Sequence, residues 1–151
     1  MSDYILGLRK IVGHRPLLQL GASVILVNDR GEILLQKRAD NGMWGYHGGS
    51  VELNERVEDA AARELLEETG LTAESLDLLG VFSGPDMAYT YPNGDQVSNA
   101  DVVFVCRSYS GTVAPQRSEV SDLRFFPPDS LPEPISPPNR KALKTYIDSL
   151  K

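Results

Sequence analysis

Residues 49–71 read GSVELNERVEDAAARELLEETGL. Within this stretch Glu64, Glu67 and Glu68 stand at helical i, i+3, i+4 spacing, and side chains so spaced project from one helix face. At about 100° per residue the three carboxylates span a sector of roughly 100°. Ala61, Ala62, Leu65 and Leu66 cover the neighbouring sector, which predicts a core-facing stripe beside the acids. Asn54 stands where a cap residue would open the helix, and Gly70 where a left-handed residue would close it. Ahead of the helix, Gly48-Gly49 permits close backbone approach.

Three like charges on one face repel unless water solvates them or a cation neutralises them. A solvated acidic helix is the ordinary reading of a bare Glu-x-x-Glu-Glu. The flanking glycines favour the other reading. A short helix, capped at both ends and preceded by a loop that can aim its carbonyls at the same point, suits a hard divalent ion such as Mg²⁺ or Mn²⁺, which takes oxygen ligands.

The window resembles the Nudix box, G-x5-E-x7-R-E-U-x-E-E-x-G-U with U a bulky aliphatic. Gly49, Glu55, Arg63, Glu64, Leu65, Glu67, Glu68, Gly70 and Leu71 occupy every specified position at the required spacing. The strand and loop pattern around the box, from about Leu18 to Leu131, is also similar to a Nudix domain. The resemblance implies an α/β fold, a mixed β-sheet sandwiched between α-helices, with the box forming a loop-helix-loop metal platform. It implies hydrolysis of a phosphoanhydride bond in a small nucleoside diphosphate derivative, such as a nucleotide or a nucleotide sugar like ADP-ribose, with Mg²⁺ as cofactor and Mn²⁺ as substitute. Two other readings stand beside it. One is a non-catalytic nucleotide-sensing or interaction module on the same scaffold; the other is a pyrophosphohydrolase of RNA 5′ ends.

By the resemblance, Glu64, Glu67 and Glu68 are metal ligands together with the backbone carbonyl of Gly49. Glu64 is also the candidate general base, and Glu55 orients that base or holds a metal through water. Arg63 is expected to make a structural ion pair with a box acid such as Glu55. A further metal-binding acid from a late loop is assigned to Glu119, against a plain surface role, with Asp122 and Glu133 as rivals. Arg38 is the candidate substrate contact, because a guanidinium at a strand end beside the loop suits phosphate; a solvated cation is the alternative. Trp44 would stack on a base or pack in the core, and Met87 to Tyr91 would line a nucleoside pocket or shape a hairpin. His47 and Asn54 stand where family members commonly carry proline and glycine. A packed or exposed neutral imidazole is the expectation for His47. Asn54 can adopt the left-handed conformation that glycine would supply.

The bulk properties fit one such domain over residues 1–151, with an N-terminal helix over 3–12, a core over 18–131 and a C-terminal helix over 139–150. At 41% hydrophobic and 24% charged residues the chain can bury a core. No apolar run approaches the ~20 residues of a membrane span, so no membrane partner is expected. The start lacks the layout of a signal peptide, and the lone Cys106 suits a reducing cytoplasm. A net charge of −6 argues against non-specific nucleic-acid binding, which needs cations to displace counterions. A small nucleotide is the expected partner; the sequence is also compatible with a homodimer.

The remaining pattern predicts a hairpin of 22–28 with 33–36 about the turn Asp29-Arg30-Gly31, and a loop over 39–45. It continues with strands near 76–83, 97–107 and 123–126 and a turn at 91–95. Six of the ten prolines fall between Pro127 and Pro138, which predicts a stiff connector.

Overall fold

The computed structural model describes residues 4–114, 118 and 120–151. In chain order it runs α1 (Tyr4–Val12), β1 (Leu17–Leu26), β2 (Ile33–Arg38), β3 (Trp44–Gly45), β4 (His47–Ser50) and α2 (Val57–Thr69). There follow β5 (Thr72–Ala73), β6 (Asp77–Phe82), a 3-10 turn at Pro85–Met87, β7 (Ala88–Thr90), β8 (Gln96–Cys106), β9 (Tyr109–Ser110), β10 (Val120–Phe126) and α3 (Pro137–Asp148).

Side-chain alternation along β1 organises the layers. Ala22, Val24 and Leu26 join Ala60, Ala61 and Leu65 of α2 in one cluster, whereas Ile25 and Val27 join Ala142, Leu143 and Tyr146 of α3 in another. Successive strand residues point to opposite faces, so an unbroken apolar run buried on both sides is the mark of a strand covered twice. β8 repeats the pattern: Val103 and Val105 face α3, while Phe104 and Cys106 face α2. The mixed sheet therefore lies between helices, as the family resemblance implies. Cys106 is buried and donates to the Ser108 carbonyl at 3.2 Å, and burial pushes its thiol pKa up, in keeping with an inert thiol.

The main sheet runs β4-β1-β8-β6, with β7 also paired to β8. β1 and β8 are parallel from Leu17↔Val97 to Leu26↔Cys106, and β4 is antiparallel to β1 from Gly21↔Ser50 to Val24↔His47. A second sheet has the order β10-β2-β3, and β5 pairs with β9.

Three expectations need correction. The hairpin survives only at its tip, where Val27 bridges Ile33, Gly31 adopts a φ of 76° and Asn28 N–H donates to the Glu32 carbonyl at 3.0 Å. Beyond it the strands part, because β1 is saturated by β4 and β8 while β2 pairs with β10 and β3. The loop expected over 39–45 ends in a strand pair, Gln36↔Gly45 and Lys37↔Trp44. The cap of α2 is Arg56 in extended conformation with no side-chain cap bond, not Asn54. Asn54 has a φ of 65°, the one non-glycine positive φ among the described residues, so it serves the left-handed role and not the capping one. Gly70 closes α2 as expected, with a φ of 79° and its N–H bonded to the Leu66 carbonyl. The prolines Pro137 and Pro138 open α3, where a missing N–H costs no helical bond.

Candidate active site

The acidic residues of α2 do not form a separate face beside the core. Glu64 and Glu68 are 3% and 2% exposed, in the middle of a buried sector with Ala60, Ala61, Leu65 and Thr69. Leu66, expected inside, is 48% exposed. The rotation follows from what packs on the helix. β4 lies against it, and Gly49 leaves room for a carboxylate: a Cβ there would stand 2.5 Å from the Glu64 carboxyl carbon, whereas one on Gly48 would meet β1, 2.7 Å from the Ala22 carbonyl oxygen. Glu67 remains partly exposed at 32%.

Arg63 gathers the acids. Its Nε and Nη2 donate to the two Glu55 carboxylate oxygens at 2.9 Å each, and Nη1 donates to Glu64 Oε1 at 3.0 Å. Nη1 lies 3.6 Å from Glu67 Oε1, and Nη2 also reaches the Ser50 carbonyl at 3.2 Å. The fork on Glu55 matches the expected ion pair. It holds the Glu55 carboxyl below the usual carboxylate range, helped by the backbone N–H of Glu52 at 3.0 Å.

Glu68 turns the other way. The Gln36 amide donates to its Oε1, and His47 Nδ1 lies 3.7 Å from the same oxygen. His47 is fully buried, and its Nε2 lies 3.2 Å from the Leu34 carbonyl, an acceptor that places the proton on Nε2. The packed reading of His47 thus holds, with an unexpected addition: the ring faces a box acid. Glu68 Oε2, His47 Nδ1 and Gln36 Oε1 are buried without a hydrogen-bond partner among the described residues. Gln36 was invisible in the sequence as a site residue, because nothing local marks a strand glutamine as reaching a helix 32 positions on.

Among the described residues no three acid, imidazole or thiol side chains form a ready-made metal-binding group. The reason is visible in the pairing, since Arg63 holds oxygens of Glu55, Glu64 and Glu67 while Glu68 faces Gln36 and His47. The donor set nonetheless fits a hard divalent cation. Two buried carboxylates share one helix face, one of them keeps an unpartnered buried oxygen, and the Gly49 backbone lies directly against the other. Glu119 lies outside the described residues. Its rivals are elsewhere engaged: Asp122 pairs with Arg124 at 2.9 Å, and Glu133 is an exposed residue of the proline-rich connector.

Two cavities meet at this platform. The first, about 160 Å³, is lined by Trp44, Tyr46, Met87, Tyr89, Asn99 and Asp101, among others. On its floor the Ser23 and Tyr46 hydroxyls donate to the two Asp101 oxygens at 2.8 and 3.0 Å. Burial raises the Asp101 carboxyl pKa against these bonds. The second cavity, about 560 Å³, is bounded by Glu64, Gly49, the turn at 91–95 and α1. Gln19, Arg38, Gly48, Gly49 and Tyr91 line both. Arg38 stands at this waist, forked on Asp40 at 2.9 and 2.7 Å and 5.9 Å from the Tyr91 ring centre. Trp44 is 4% exposed and packs edge-on against Phe126 at 4.9 Å, so its packing role holds although one edge lines the cavity.

Comparison with known proteins agrees with this geometry. The family signature described as NUDIX domain matches residues 17–146. A putative 8-oxo-dGTP diphosphatase of Bacillus subtilis is 34% identical over 121 residues, 80% of this chain and 74% of that protein. An ADP-ribose pyrophosphatase of Methanocaldococcus jannaschii is 34% identical over 125 residues, 81% of this chain and 69% of that protein. The crystal structure of a MutT NUDIX hydrolase from Burkholderia pseudomallei superposes with a TM-score of 0.72 at 32% identity, covering 85% of this chain and 98% of that one. The chain belongs to the Nudix family. Its activity is that class's: hydrolysis of phosphoanhydride bonds in nucleotide derivatives. No helix among the described residues is long and apolar enough to cross a membrane.

Proposed function

We propose that the chain is a Mg²⁺-dependent pyrophosphohydrolase of a small nucleoside diphosphate derivative, with Mn²⁺ able to substitute. The observation that carries this reading is the burial of two carboxylates on one face of α2, Glu64 against Gly49 at the edge of the larger cavity and Glu68 one turn on beside Gln36 and His47. Glu64, Glu67, Glu68 and the Gly49 carbonyl would hold the metal, with Glu119 as a further donor. The bound ions would screen phosphate charge, lower the pKa of a bound water and steady the leaving oxygen.

The chain's own residues supply the rest. Glu64 takes a proton from the attacking water as its oxygen bonds to phosphorus. The bridging P–O bond breaks, and its electron pair leaves with the departing phosphate. Glu55, locked to Arg63, holds that guanidinium against Glu64 and so fixes the direction of the base. Arg38 offers its guanidinium to a phosphate oxygen at the waist. The smaller cavity, with aromatic walls and the side chains of Asn99 and Asp101, takes the nucleoside, because flat rings and amide-type partners suit a base.

Purified protein assayed with Mg²⁺ or Mn²⁺ across nucleoside triphosphates, nucleotide sugars and dinucleoside polyphosphates should release product from at least one, and a chelator should stop it. Tight nucleotide binding with no turnover anywhere in the panel would favour a sensor and overturn the reading.

A further inference from the structure

α1 precedes the region matched by the family signature, which starts at residue 17, yet Ile5, Leu6 and Arg9 of this helix bound the larger cavity opposite Gly49 and Glu64. The helix contributes no fully buried residue to the core. It is nonetheless held in place. The Arg9 side chain is only 9% exposed, and its guanidinium donates to the carbonyls of Gly13 at 3.0 Å, Arg15 at 2.7 Å and Gln96, and lies 3.8 Å from Asp95. His14 closes the same clasp from the connector at 2.8 Å from Asp95. One arginine thus fastens α1 to the turn that forms the facing wall, which explains how a helix without core residues stays over the platform.

The chemistry of that cleft is selective. Two cations line it among the described residues, and each is set against an acid: Arg9 against Asp95, Arg38 against Asp40. With Arg38 given to the diphosphate, a further phosphate would meet only Arg9, which is already engaged by three backbone carbonyls and Asp95. The side chains of Ile5, Leu6, Pro92 and Val97 offer apolar contact, and Asn93 and Gln19 offer amides. A volume of about 560 Å³ is in the range of small-molecule sites.

We propose that α1 is a specificity element of the enzyme: it walls the part of the cleft beyond the diphosphate and selects a neutral, hydroxyl-bearing group there, so that nucleotide sugars are preferred over nucleoside triphosphates. This rests on the hydrolase reading above and names the substrate class for the same site.

Full-length wild type is assayed with ADP-ribose, UDP-glucose and GDP-mannose against ATP, UTP and GTP. The best sugar should exceed the best triphosphate at least tenfold in kcat/KM. Leu6→Trp fills the cleft from a position that is 47% exposed, so folding should tolerate it. It should raise KM for that sugar at least tenfold while kcat stays within threefold, and should lower the sugar-to-triphosphate ratio. Ile11→Trp, on the same helix but 82% exposed and away from the cleft, should leave that ratio at the wild-type value. A wild-type preference for triphosphates, or a Leu6→Trp effect absent or equal for both classes, would overturn the role of α1 and leave the hydrolase reading intact. Absence of turnover on every compound would remove the hydrolase reading and this inference with it.

Discussion

A Cβ at position 49 would lie 2.5 Å from both the carboxyl carbon and Oε1 of Glu64, so the absence of a side chain at Gly49 is what lets that carboxylate rest against the β4 backbone. Gly49→Ala should therefore push the candidate base out of place. A displacement near 1 Å costs on the order of 10²-fold in rate, and kcat/KM should fall by about that factor while thermal unfolding still reports a folded protein. Undiminished activity in Gly49→Ala would show that Glu64 does its work from another position.

Glu68 is buried with Oε2 unpartnered, beside a His47 Nδ1 that also lacks a partner. Glutamine at 68 with its amide nitrogen in place of Oε1 can donate to His47 Nδ1 and, once the Gln36 amide turns over, to Gln36 Oε1. Glu68→Gln should abolish turnover yet stabilise the protein unfolded in chelator, by about 1–2 kcal/mol for one buried group satisfied. Loss of both activity and stability would contradict this account of the buried oxygen.

Acid sensitivity should trace in part to Glu55. Its folded pKa is held below the unfolded value, near ~4.3, first by the Arg63 hydrogen bonds. A depressed carboxyl binds fewer protons folded than unfolded, so its stabilisation is full above ~4.3 and drains away as pH falls through the folded value. The stability gap between wild type and Glu55→Gln should be widest above about pH 5 and close at lower pH. A gap independent of pH would mean that the Arg63 pairing is not its source.

Asp101 should behave in the opposite sense. Burial raises its pKa above the unfolded ~3.9, so the folded state holds the proton more tightly and stability declines as pH rises from ~4 toward the folded value. Asp101→Asn removes that penalty and should gain stability relative to wild type at pH 7 but not at pH 3, measured by chemical denaturation. An equal effect at both pH values would rule out a charge origin.

The proposed reading makes Glu119 the candidate late metal-binding acid. Glu119→Gln should lower kcat tenfold or more and raise the Mg²⁺ concentration needed for half-maximal rate. An unchanged metal dependence would return Glu119 to the surface.

Much of this molecule is legible from local pattern. The apolar runs of β1 and β8 announce strands covered on both faces, and the box spacing announces α2, its end at Gly70 and the Arg63–Glu55 pair. The left-handed turn at Asn54 is readable because short amide side chains tolerate positive φ. Such features depend on residues within one or two turns of each other, and so does the chemistry that makes them.

What surrounds the site is a different matter. That Glu64 and Glu68 are buried while Leu66 is not follows from β4 packing on the helix with Gly49 against Glu64, which no periodicity within α2 encodes. Gln36 and His47 reach Glu68 from other strands, and the splitting of the 22–36 hairpin into two sheets reflects which partners are available to each strand. The cleft between α1 and the turn at 91–95 exists because Arg9 meets the Gln96 carbonyl, 87 positions away. By itself the sequence determined the box helix, since its residues are written in short-range spacing, and the bond chemistry followed from the family resemblance that this spacing carries. Only the tertiary structure decided which face of α2 is buried and what bounds the cleft, because burial and long-range hydrogen bonds depend on elements brought together by packing.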